Sequence, residues 1–154
     1  MTNLQRINPA ALSRDVPYDY ATVAPPGSLL FTAGACPLDA GGMVVARGDL
    51  EAQARQALDN LVATITEGGS SLSHVLKTTV YVATTDRSEL VRAWGVVEER
   101  FAPARPPSTL LGVAALGYPD QLFEIEAIAI RVPAGASSRA DDVGAPRTGQ
   151  PRAT

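Results

Sequence analysis

Two carboxylates stand two residues apart on an otherwise apolar segment, Leu122-Phe123-Glu124-Ile125-Glu126-Ala127-Ile128-Ala129-Ile130-Arg131. Side chains alternate between the two faces of an extended chain, so Glu124 and Glu126 share a face with Ile128 and Ile130. Phe123, Ile125, Ala127 and Ala129 take the other face. Acids in such a place are costly unless their face meets water, a partner or a ligand. A carboxylate in a shielded cleft can serve as a general base. The competing reading is a sheet carboxylate at a subunit seam, satisfied by a backbone amide or a lysine. A second apolar segment, Pro107 to Leu116, precedes this one and joins it through a Gly-Tyr-Pro-Asp turn.

The other residue types that do chemistry stand alone. Cys36 is the single cysteine and reads as a small buried hydrophobe with no disulfide partner within the chain. His74 is the single histidine and has no Cys or Asp at ligand spacing, so no metal is expected. Gly41-Gly42 lacks the Lys-Ser/Thr of a phosphate-binding loop and reads as a hairpin turn. No order or spacing favours a Ser-His-Asp arrangement, and nothing requires a cofactor.

These residues need a scaffold. Arg6 to Pro9, Tyr18 to Ala24 and Leu29 to Cys36 read as three strands, the third apolar enough to be covered on both faces. Pro37 to Gly48 is a glycine-rich loop or hairpin. A helix is expected from Asp49, its N-cap, to Glu67, with Ala54, Ala57, Leu58, Leu61 and Ile65 as its apolar stripe and Gly68-Gly69 as its stop. Val75 to Ala83 reads as a strand. Ser88 to Phe101 reads as a second helix with Leu90, Val91, Trp94, Val97 and Phe101 on one side. The pattern predicts an α+β domain, residues 1–132, with two helices on one face of a mostly antiparallel, six-stranded sheet. The opposite face has no helix to cover it, and oligomerisation is the simplest cover. From Pro133 onward Gly, Ala, Ser, Pro, Arg and Asp dominate, so residues 133–154 are expected to be a disordered tail.

Composition narrows the class. A chain of 154 residues suffices for one domain, and its 45% hydrophobic content suits a subunit that buries surface in an assembly. With 13 basic and 16 acidic residues, a net charge of -3 and no basic cluster, no nucleic-acid partner is expected. No apolar run approaches the roughly 20 residues of a membrane span, so no membrane partner is expected. The lone cysteine and the lack of a signal-peptide pattern suggest the cytoplasm.

Five segments in order carry a resemblance. They are Pro17-Tyr18, Leu30-Phe31-Thr32-Ala33-Gly34-Ala35-Cys36-Pro37, Asp49 to Asn60, Val75 to Val82, and Glu124 to Ala129. Together they resemble the RidA (YjgF-type) family of reactive-intermediate deaminases. The resemblance implies a chorismate-mutase-like fold, a homotrimer, and small-molecule clefts between neighbouring subunits where enamines or imines are hydrolysed. It also implies that Glu124 orients the attacking water and that Tyr18, Gly34, Ser108 and Thr109 line the cleft. A strand glycine such as Gly34 otherwise weakens a sheet, so it marks a close approach or a bulge.

One position departs from the family pattern. Active members carry an arginine immediately before the serine that opens the fifth strand, where its planar fork binds the substrate carboxylate. Here that residue is Pro107, which offers no donor. Arg105, two residues upstream, is the candidate substitute; a solvated loop arginine is its plainer reading. The second helix is also about two residues longer than usual by the resemblance, with single insertions near Leu110 to Gly112 and in the Gly117-Tyr118 turn. A reshaped cleft follows. The protein then either hydrolyses an enamine or imine, or binds a metabolite without turning it over.

Overall fold

The apolar spacing between residues 50 and 65 forms the expected helix, α1, Leu50–Glu67. Asp49 caps it, accepting the Ala52 amide at 3.0 Å, and Glu51 complements the positive end of its dipole. At the other end Gly69 adopts a φ of 75°, which glycine reaches without steric cost. The amides of Gly69 and Ser70 then return to Thr66 and Ile65, a Schellman closure. The computed structural model describes residues 5–15, 20–23 and 28–131. The tail expected over 133–154 lies outside the described residues, and so does Tyr18.

The second helix, α2, spans Arg87–Phe101 and is capped by Asp86, whose carboxylate accepts the Ser88 amide at 2.8 Å. Its buried side differs from the expected stripe. Val91 is 73% exposed, whereas Ala93 and Val96 are buried beside Val97 and Phe101. The reason is that α2 packs on two partners, the sheet and α1. Arg92 pairs with Glu51 at 3.0 Å and Arg100 with Asp59 at 2.6 Å, which turns the 92, 96 and 100 side of α2 toward α1 and leaves Val91 outward.

The strands are β1 (Gln5–Ile7), β2 (Ala21–Val23), β3 (Leu29–Thr32), β4 (Val75–Val82), β5 (Ser108–Gly112) and β6 (Phe123–Ile130). They form one sheet in the order β1-β2-β3-β6-β4-β5. Every pair is antiparallel except β4 with β5, which α2 connects in parallel. The two apolar segments joined by the Gly-Tyr-Pro-Asp turn are therefore not sheet neighbours, as a hairpin would make them. β4 lies between them, because the α2 crossover sets β5 on its far side and the chain then steps back over β4 to β6.

Both helices cover the same face. Leu58, Leu61 and Ile65 of α1 meet a core containing Leu30, Val80, Val82, Phe123 and Ile125. The alternation expected along β6 is observed: Phe123, Ile125, Ala127 and Ala129 are buried, while Glu124, Glu126 and Ile128 are partly open. The uncovered face exposes Leu29, Phe31 (50% exposed), Leu111 and Ile130. In general, contiguous exposed apolar faces are where proteins meet partners. Among the described residues no helix is long and apolar enough to cross a membrane.

The third expected strand is shorter than Leu29 to Cys36. After Phe31 pairs with Ile128, the next paired residue is Ala35, opposite Ile125. Thr32, Ala33 and Gly34 thus face only Glu126 and Ala127, so one strand carries an extra residue. This is a bulge, and the Thr32 hydroxyl fills the gap by accepting the Ala127 amide at 2.9 Å.

Candidate active site

Glu124 sits on the uncovered face of β6 directly opposite Tyr81 of β4. One carboxylate oxygen, Oε2, accepts the Gln121 side-chain amide at 2.9 Å and the Cys36 thiol at 3.4 Å. The other oxygen, Oε1, lies against Gly34, where any Cβ would overlap it. Gly34 is therefore required by the bulge that brings the backbone onto the carboxylate. Glu126, one pleat along, accepts the Tyr81 hydroxyl at 3.1 Å. Partial burial, that bond and the nearby negative charge all raise the Tyr81 pKa, so the phenol stays a donor.

Two buried amides of α1 hold the loops around Glu124. Gln53 and Asn60 are seven residues apart, close to two helical turns, and so emerge on one face. Gln53 donates to the Asp120 carbonyl at 2.9 Å and accepts the Leu122 amide at 2.8 Å. Asn60 donates to the carbonyls of Cys36 and Leu38 at 2.8 and 2.9 Å. Gln121, itself buried, accepts the Tyr118 amide at 3.0 Å through the oxygen that Glu124 does not use. Helix α1 thus fixes the turn after Tyr118 and the loop after Cys36, and the Glu124 carboxylate lies between them. No buried side-chain nitrogen or oxygen among the described residues is without a partner.

These groups enclose a cavity of about 540 Å³, lined by Gly34, Cys36, Tyr81, Tyr118, Glu124 and Glu126 with small apolar residues of the 113–117 segment. Its described lining holds two carboxylates and two phenols but no lysine, arginine or histidine. A water bound to Glu124 in such a place has a proton acceptor beside it and an apolar wall opposite.

The structure brings Glu124 and Gly34 together and places Arg105, Ser108 and Thr109 outside that cavity's described lining, while Tyr18 lies outside the described residues. Arg105 and Ser108 border a separate cavity of about 390 Å³ on the helix side of the sheet, with Trp94, Phe101 and Glu98. The Ser108 hydroxyl is engaged by Thr78 at 2.6 Å and by the Pro106 carbonyl at 3.0 Å. Thr109, on the uncovered face, accepts Lys77 Nζ at 2.7 Å. Pro107 contributes its carbonyl to the Thr78 amide at 3.0 Å. Cys36 is more than a small hydrophobe, since its thiol donates to Glu124. His74 shares a hydrogen bond with Ser71 at 2.8 Å.

Gln121, Gln53, Asn60 and Tyr81 are the residues that sequence reasoning missed. Two of them carried a signal. An amide at 53 and another at 60 fall on the stripe of a helix otherwise apolar there, and a buried amide must have partners.

A family model described as endoribonuclease L-PSP matches residues 9–131. A RutC family protein of Pyrococcus horikoshii is 36% identical over 115 residues, covering 75% of this chain and 87% of its own. The 2-iminobutanoate/2-iminopropanoate deaminase of Salmonella typhimurium is 35% identical over 108 residues, covering 68% and 81%. Among solved structures, Escherichia coli TdcF with bound serine aligns with a TM-score of 0.69 at 30% identity, covering 82% of this chain and 98% of that one. YyfA of the Rid protein family from Yersinia pestis gives 0.73 at 26% identity, covering 82% and 98%. The chain belongs to the endoribonuclease L-PSP family, the RidA (YjgF-type) family whose segments its sequence carries.

Proposed function

We propose that this protein hydrolyses a small enamine or imine, as a cytoplasmic homotrimer whose clefts lie between neighbouring subunits. The observation that carries the reading is the Glu124 carboxylate, fixed by Gln121, Cys36 and Gly34 at the wall of a cavity large enough for a small metabolite. Glu124 accepts a proton from water as the oxygen attacks the carbon of the protonated C=N bond, giving a neutral carbinolamine. The same carboxyl then returns that proton to nitrogen, and the hydroxyl passes its own proton to the freed carboxylate as the C–N bond breaks. The ammonia that leaves the carbonyl product carries this proton away as ammonium. The deaminase activity named for the Salmonella relative and the serine bound to the Escherichia coli protein support a ligand of this size.

The assembly rests on the uncovered face. Leu29, Phe31, Leu111 and Ile130 are apolar and exposed on it, and the Glu124 cavity opens on the same side. In this reading a second subunit covers that face and closes the cavity over the water, with Thr109 on the edge strand β5 close to the seam. Arg105 is left out of the Glu124 site, since it borders the other cavity.

A second reading, a trimer that binds a metabolite without turning it over, is favoured by one observation: Pro107 removes the arginine of active members and Arg105 does not stand in for it within the subunit. RNA cleavage fits less well, because two carboxylates face the place a phosphodiester would take. Ammonia release from freshly generated imines, with and without a carboxylate, separates the readings. Acceleration over the spontaneous rate, lost by about 10²–10⁴ in Glu124→Gln, is expected for the hydrolase. No acceleration of any imine leaves only binding.

A further inference from the structure

We propose that the Glu124 cavity takes a cationic ligand that has no carboxylate, such as the protonated imine of a simple amine. The inference rests on reading this cavity as the active site and names the class of its substrate. Charge placement carries it. Among the described residues Glu124 is met by an amide and a thiol and Glu126 by a phenol, and none of these partners is a cation. The described lining contains no lysine, arginine or histidine.

Three cations of the surrounding segments stand outside this lining. Lys77 shares a smaller cavity of the uncovered face with Glu126, but its ammonium donates to the Thr78 carbonyl at 3.1 Å and to Thr109 rather than to that carboxylate. Arg47 pairs with Asp120 at 3.6 Å. Arg105 borders the cavity on the helix side. Pro107, immediately before β5, supplies no charge either. A substrate carboxylate entering here would meet two like charges and no cation in the described lining, which selects against it. An iminium meets two opposite charges and the faces of Tyr81 and Tyr118, each able to make a cation–π contact. The positive charge sits on the nitrogen of the C=N bond, so the carboxylates attract the group that reacts.

A matched pair of probes tests this. Benzylammonium and phenylglycine share a ring and an amine and differ by one carboxylate; neither can be hydrolysed. In titrations of the full chain followed by calorimetry, benzylammonium is expected to bind at least about tenfold more tightly, a gap of ~1.4 kcal/mol. Glu126→Gln keeps the side-chain shape and an acceptor for Tyr81. It is expected to weaken benzylammonium about tenfold and to leave phenylglycine unweakened. Equal or tighter binding of phenylglycine, or no effect of Glu126→Gln, overturns the inference.

A turnover arm uses the imines that flavin amine oxidases release from the same two amines. Hydrolysis of the benzylamine-derived imine, with the carboxylated imine left at its spontaneous rate, supports both the inference and the hydrolase reading. Tight benzylammonium binding with neither imine accelerated supports the ligand class and removes the hydrolase. Glu124-dependent hydrolysis of the carboxylated imine at an equal or greater rate keeps the hydrolase and overturns the inference.

Discussion

The two cavities of this molecule share one sheet and differ in almost everything else. The cavity on the uncovered face is acidic, its carboxylates are held by neutral donors, and its rim is pinned by amides from α1. The cavity on the helix side is lined by Trp94, Val97, Phe101 and prolines, with Arg105 and Glu98 at its edge. Within one subunit the Glu124 carboxylate and the Arg105 guanidinium thus border cavities on opposite sides of a β-sheet. Strand alternation fixes the face of Glu124, whereas the side of Arg105 is set by the proline-rich approach that precedes β5.

The largest test of that contrast strikes the acidic cavity. In Gly34→Ala the new Cβ would occupy the place of Glu124 Oε1, so the carboxylate must move by about an ångström. Misplacement on that scale costs on the order of 10² in rate. The expected result is a fall of that size in kcat/KM with the melting temperature little changed, read by ammonia release and by thermal unfolding. A fully active Gly34→Ala would show that the position of Glu124 does not matter, and the acidic cavity would lose its claim to be the reacting one.

Next comes the frame that makes the acidic cavity rigid. Gln53→Ala removes a buried side chain and leaves the part-buried Asp120 carbonyl and Leu122 amide without their partner. Two such losses cost about 2–3 kcal/mol. Urea unfolding of the variant measures the loss. Because Gln53 holds the turn that carries Gln121, activity should fall as well. The helix-side cavity has no such amide in its lining, so its shape should depend less on Gln53.

The legibility of the molecule follows the same contrast. Glu124 and its face could be read because alternation along a strand is a rigid rule, and the cap at Asp49 and the stop at Gly68-Gly69 are local events within a few residues. What could not be read depends on two elements meeting. Val91 looked like a core residue because a single stripe was assumed, whereas α2 touches both α1 and the sheet. The Gln121 contact to Glu124 spans three residues, yet it exists only because Gln53, 67 residues before Asp120, shapes the turn. Gly34 was legible as a bulge or a close approach, and the structure makes it both. The place of Arg105 was not legible, since a proline-rich approach to β5 does not say which face of the sheet it serves.

A smaller effect is expected from restoring the missing charge. Side chains alternate across β5, so position 107 should share the uncovered face with Thr109, opposite to Ser108. Pro107→Arg would then set a guanidinium on the acidic side of the sheet, where a forked donor can hold a carboxylate. The expected outcome is a gain of about tenfold in the rate with a carboxylated imine relative to a carboxylate-free one, ~1.4 kcal/mol. An unchanged ratio would mean that a cation at 107 does not reach the cavity.

The smallest expected effect is the most discriminating. Arg105 makes no hydrogen bond or ion pair in the described structure and is exposed beside the helix-side cavity. If the two cavities are independent, Arg105→Ala should change ligand binding and turnover at Glu124 by less than about twofold, within the ~0.5 kcal/mol typical of surface substitutions. Stability should hold equally well, since no buried partner is orphaned. A loss of tenfold or more, confined to carboxylated ligands, would break the contrast: Arg105 would then reach the acidic cavity of a neighbouring subunit, and the division of charge seen within one chain would be repaired by assembly. Repeating the substitution on Pro107→Arg decides between the two. Independent cavities predict that the new arginine works as well without Arg105 as with it, whereas a shared cleft predicts that the two guanidinium groups compete for one carboxylate and their effects fail to add.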